Sequence, residues 1–318
     1  MSGAINGYGL MAALSQDSAA IQSQLSVATQ QAATGKVSDS YAGLGAAARV
    51  SLDLRPQIAH QTAWSANIDA VSARLAVAQS ALTAINQVAS TFYAKMSGLN
   101  GLTPGAGAAV AAQARTALEQ VAGLLNSKVG DTYVFSGQDT ANPPVTNPSA
   151  AALIPALLTG TPPAPFSATI GTAVPTVEVG EGQQVQVGVL ANANTLSVSA
   201  APTSGSYMRD IMTALATLAT TTDGPGLPAV AATVRSQLDS AITASAAEAG
   251  ALGNNQAGLA TRKSQLAETQ AALTAQVSGA EDVDLAATVT RVTALQAQLQ
   301  ASYHLLAAQK GMSLAQYL

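Results

Sequence analysis

The chain has 318 residues and a formal net charge of −4; 48% of its residues are hydrophobic, but only 3% are aromatic and 9% charged. So small a charge leaves no electrostatic footprint for nucleic acid or an anionic membrane. The absence of cysteine excludes a disulfide framework, a thiolate metal site and a thiol nucleophile.

Much of the hydrophobic share is alanine, which favours helix but fills little core volume. This is the composition of long, thin helices packed through small side chains. The first nine residues hold Gly3, Gly7 and Gly9 without any period and read as a flexible end. No Lys or Arg precedes the first apolar stretch, so the N-terminus lacks the charged region of a cleaved secretory signal. No uninterrupted apolar run reaches the roughly 18 residues of a membrane span, and no membrane insertion is expected.

From Met11, the residues Leu14, Ser18, Ile21, Leu25, Ala28 and Ala32 follow a three-four spacing, the seam of a helix that Gly35 ends. Residues 35–48 read as a loop with a short helix. The spacing is clearest from Trp64 through Ile68, Val71, Leu75, Ala78, Leu82, Ile85, Ala89, Phe92 and Met96 to Leu99. It predicts a helix over 57–100 with Pro56 near its start. Such a helix would be about 66 Å long at ~1.5 Å per residue, too long for a small globule to enclose. A second helix is expected from 107 to Val129, on Val110, Ala114, Ala117, Val121 and Leu124.

The composition then changes, for nine of the thirteen prolines lie between Asn142 and Pro202. Alternating valines at 177–179, 185–189 and 196–198 predict strands, with Gly180-Glu181-Gly182 as a hairpin turn. A small β-rich insert is therefore placed at 138–205. Helix returns with Met208, Ile211, Leu215 and Leu218, then over 230–276 with Leu252, Leu259, Leu266 and Leu273 at seven-residue steps. Ser278-Gly279 predicts a break. A last helix over 282–310 carries Leu285, Val289, Val292, Leu299, Tyr303 and Leu306. The predicted fold is mainly α: a long antiparallel coiled-coil rod made by the N- and C-terminal segments, with the β-rich insert inside it. The expected division is into terminal assembly helices (1–34 and 280–318), a helical rod (35–137 and 206–279) and an outer insert (138–205).

Little in the sequence reads as catalysis. His60 and His304, the two histidines, lie in separate helices with no metal-ligand spacing around them. Glu281, Asp282 and Asp284 form an acidic cluster ahead of an apolar-periodic helix, where it compensates the helix N-terminus. No catalytic residue, cofactor or metal is expected. The terminal helices are poor in charge and covered with Ala, Ser, Gln and Thr, and such helices are marginal alone. They read as surfaces that order when copies of the chain pack together.

Four segments carry a resemblance to a known family. QQAATGKVSDSYAGLGAAARVSLDLR (30–55) is similar to the N-terminal helix, TGK loop and following helix of the flagellin superfamily. DTYVFSGQDTANPPV (131–145) resembles the segment leading into the outer domain, and LGNNQAGLATRKSQL (252–266) a second shared helical segment. Residues 281–318 resemble the C-terminal helix. "YVFSG" and the closing "SLAQYL" resemble more narrowly the hook-associated proteins of the hook–filament junction.

The resemblance implies a structural protein, not an enzyme, exported through the flagellar type III pathway and located outside the cell in the flagellum. Its implied partners are further copies of itself, another hook-associated protein, flagellin and an export chaperone. Leu14, Ile21 and Leu25 would pack with Val289, Val292, Leu299, Tyr303 and Leu306, and Leu314, Tyr317 and Leu318 would complete the assembly interface. The competing readings are a divergent flagellin that builds the filament itself and an adhesin whose insert binds a surface polymer.

Overall fold

The computed structural model describes residues 2–99, 103–162, 164–195 and 203–315, with side chains described from 12 to 308 within those ranges. The chain is mainly helical. Helices α1 (Ser2–Thr34), α2 (Tyr41–Leu44), α3 (Ala47–Met96) and α4 (Ala106–Leu125) are followed by the short strands β1 (Lys128–Val129) and β2 (Thr132–Tyr133). Then come α5 (Ala150–Leu158), a 3-10 turn at Ala168–Ile170, and strands β3 (Thr176–Gly180) and β4 (Gln183–Gln186). Helices α6 (Tyr207–Ala219), α7 (Leu227–Glu281) and α8 (Leu285–Ala315) complete the order. The chain divides into two compact units, one of residues 1–60 and 269–318 and one of residues 61–268, so the division falls within α3 and α7.

The second unit has one continuous core. The predicted α3 seam from Ile68 to Met96 is buried along its length, as are Val110, Ala114, Ala117 and Val121 of α4 and Met208, Ile211, Leu215 and Leu218 of α6. Leu252, Leu259 and Leu266 bring α7 into the same core. Contacts of Lys263 with Asp69 and of Arg235 with Tyr93 show α3 and α7 running antiparallel within this unit. A window of α3 has a mean hydropathy of 1.2 over 18 residues, enough by length and composition to cross a membrane. Its seam residues from Ile68 to Met96 are instead buried in the protein core, with Val77, Val88 and Tyr93 partly buried beside them.

The insert shares this core. Two alternating valine runs form the β3–β4 hairpin, paired Val177 to Val185, and the third run at 196–198 lies outside the described residues. Val187 and Val189 leave the ladder and are buried with the helices. The sequence reading missed α5, which packs on α4 and α6 through Leu153 and Leu157. The YVFSG segment roots the insert. Arg74 of α3 donates to the carbonyls of Tyr133 (2.8 Å) and Val134 (3.2 Å), and the Ala191 amide donates to Phe135 O (3.1 Å). Gly137 has φ of 62°, and a Cβ there would lie 2.7 Å from both Ile170 O and Leu190 Cδ2, so both conformation and space require glycine.

Several expected boundaries move. Helix α1 is continuous from Ser2, through glycines read as a flexible end. Helix α3 starts at Ala47 rather than 57, placing Pro56 inside it, because strong helix formers fill 47–55 and Ser51 and Arg55 are held by partners described below. Helix α4 stops at Leu125, where the Asn126 amide caps it and its side chain pairs with the backbone of Val145. Ser278 and Gly279 do not break α7, which runs to Glu281.

Candidate assembly interface

The first unit is built around the pair of α1 and α8. The pair is antiparallel, since Gln22 meets Tyr303 near one end and Lys36 meets Asp282 at the other. On α1 the inward residues are Leu14, Ser18, Ile21, Leu25, Ala28 and Ala32, the seam that the spacing predicts. On α8 they are Thr288, Val292, Leu295, Leu299, Ser302 and Leu306.

That α8 face is offset from the predicted one. Val292, Leu299 and Leu306 belong to both, but Leu285 and Val289 are each 52% exposed and Tyr303 46%, whereas Thr288 and Ser302 are 8% exposed. Leu305 is exposed as well. The helix thus buries two hydroxyl residues against α1 and leaves four large apolar side chains in solvent. The side chain of Leu314 lies outside the described side chains, and Tyr317 and Leu318 lie outside the described residues.

Burial in the first unit follows the same pattern. Among the described residues it buries three hydrophobic side chains, Ala28, Val277 and Leu295, against five polar ones, Ser18, Ser51, Glu281, Thr288 and Ser302. Of nine exposed large hydrophobic residues among those described, eight belong to this unit and Leu158 to the other. Full burial of one Leu or Val is worth about 1.5–3 kcal/mol, so the fully buried side chains described in this unit contribute little hydrophobic stabilisation.

The open end of the pair is tied by charge. The segment after α1 and the segment before α8 lie side by side, with Val37 N–H donating to Glu281 O (2.7 Å) and Val283 N–H to Gly35 O (3.0 Å). Arg55 Nη2 donates to both carboxylate oxygens of Glu281 at 2.8 and 2.7 Å, and Ser51 donates to the same group. Lys36 Nζ lies 2.5 Å from Asp282 Oδ1 and 3.4 Å from Glu281 Oε2. The acidic cluster therefore splits by role. Asp284 caps α8, accepting from the amides of Ala286 (2.9 Å) and Ala287 (3.1 Å), while Glu281 and Asp282 serve this clasp. Sequence reasoning missed the clasp because its members lie more than 200 residues apart; the TGK and EDVD segments held the signal. His60 and His304 lie in α3 and α8, and among the described residues no three His, Asp or Glu side chains gather as a metal site.

The bacterial flagellin N-terminal helical region matches residues 5–140, and the bacterial flagellin C-terminal helical region matches residues 236–318. The chain belongs to the flagellin family. It is a structural component of the bacterial flagellum, in a family that is structural rather than enzymatic and whose members self-assemble in the extracellular flagellum. Comparison with curated proteins gives no match. Among solved structures, the fold is similar to that of a Vibrio parahaemolyticus protein assigned as flagellar hook-associated, with TM-score 0.57 and 13% identity. That similarity covers 76% of this chain and 99% of the other.

Proposed function

We propose that this flagellin-family protein is a junction subunit joining hook to filament, assembled through its terminal helices. The observation that carries the reading is the arrangement of α8, which exposes Leu285, Val289, Tyr303 and Leu305 while burying Thr288 and Ser302. A helix with its larger apolar side chains outward gains most of its hydrophobic stabilisation from neighbouring molecules. Leu14, Ile21, Leu25, Val292, Leu299 and Leu306 join α1 to α8. Val289 and Tyr303 contact the next copy, and Leu314, Tyr317 and Leu318 extend that contact. A chaperone covers the same C-terminal surface before export, and the partners in place are another hook-associated protein on one side and flagellin on the other. The similarity in fold to a protein assigned as hook-associated supports the junction over the filament.

Antibody labelling of purified flagella tests the reading. A single band of label where hook meets filament is expected. Label along the whole filament would overturn it in favour of a filament-forming flagellin, the reading that the match to both flagellin helical regions also supports.

A further inference from the structure

The geometry points to Glu281 as a single latch for both ends of the chain: its carboxylate holds α1 and α8 in place together, and its loss frees them together. The residue is 5% exposed and sits on the last turn of α7. Its carbonyl receives Val37 N–H from the segment leaving α1, and two residues later Val283 N–H returns a bond to Gly35 O. Its carboxylate is gripped from α3 by Arg55, through Nε (3.0 Å) and Nη2, and by Ser51, and from the α1 side by Lys36. One residue therefore joins three places: its side chain grips the first part of α3 and Lys36 beyond the exit of α1, and its backbone bonds the segment leaving α1 four residues before α8 begins.

Two further features make this grip decisive. The α1–α8 seam includes Ser18, Ala28, Thr288 and Ser302, which bury little apolar area, so the pair depends on its anchored end more than a leucine seam would. The neighbouring Lys36–Asp282 pair is 43% and 39% exposed in its side chains, the kind of ion pair that contributes little alone. A neutral amide at 281 would leave the Arg55 fork without its carboxylate and turn a donor toward Arg55 or Lys36.

Hydrogen–deuterium exchange on the full-length monomer tests the latch independently of assembly. In Glu281→Gln, amide exchange is expected to rise by about tenfold or more in both 14–34 and 285–306, by a similar factor, with 68–96 and 231–266 unchanged. Arg55→Lys keeps the charge but loses the fork, and is expected to give a smaller rise shared by both ends. Asp53→Asn removes the exposed Arg49–Asp53 pair and serves as the control, with exchange as in wild type. Faster exchange at one end only, at neither end, or throughout the molecule would overturn the proposal, as would unchanged ends in Arg55→Lys.

Discussion

Hydrogen bonds from Arg55 and then Ser51 hold the Glu281 carboxyl at about 2, below its ordinary 4.5. The Lys36 ammonium, followed by the Ser278 hydroxyl, likewise lowers Asp282. A carboxyl whose folded value lies below its unfolded one stabilises the fold above the unfolded value, and loses that contribution as pH falls through the folded one. The first unit should therefore lose helix as pH falls from about 4.5 to about 2, followed by circular dichroism. The stability gap between wild type and Glu281→Gln should close over the same range.

Asp223 offers a second test at this scale. Its carboxylate accepts the amides of Gly105 (2.9 Å) and Gly107 (2.7 Å) at the start of α4, and Asp223→Ala should cost about 1 kcal/mol in urea unfolding. Alanine at Gly107 should fail to deliver the ~1 kcal/mol of a helical Gly→Ala change. Its Cβ would stand 2.9 Å from the backbone of Thr222 and Asp223. Neither contact was legible in the sequence, because both join residues more than 100 positions apart.

Helices with a large apolar seam were read correctly from spacing alone. Every predicted position from Ile68 to Met96 of α3 is buried, because seven of those nine residues are too large to leave outside. On α8 the expected seam and the intrachain seam share Val292, Leu299 and Leu306 but part at Leu285, Val289 and Tyr303, which are exposed while Thr288, Leu295 and Ser302 are buried. Helix α5 went unseen because nine residues with an internal proline make a poor helical signal among so many prolines. The two faces of α8 give opposite predictions. Glu at both Val289 and Leu305, which are exposed, should block incorporation into flagella while leaving the monomer's helix content unchanged. Leu295→Ala should instead weaken the α1–α8 pair by about 2 kcal/mol, measured by thermal unfolding of the monomer.

Across the whole molecule, stabilisation is unevenly divided. The 61–268 unit carries the continuous core, and among its described residues the unit formed by the chain ends buries more polar than hydrophobic side chains. The mainly helical fold was legible because helical periodicity survives in an alanine-rich chain. The dependence of the helices on the insert was not, because alternating valines say where strands lie but not what they cover. Phe166, Ile170 and Val179 join Leu153 and Leu157 in the helical core. Removing 140–203 should therefore increase binding of a hydrophobic dye and lower the melting temperature, where a detachable appendage would leave both unchanged.

The burial of α5 against α6 also constrains how this lineage can diverge. A relative that has shed the stretch around Leu153 and Leu157 would leave the side of α6 that α5 covers open to solvent. It would have to recolour that side of α6 with polar residues or supply a different lid. Length changes here and the polarity of α6 should thus be inherited as a pair.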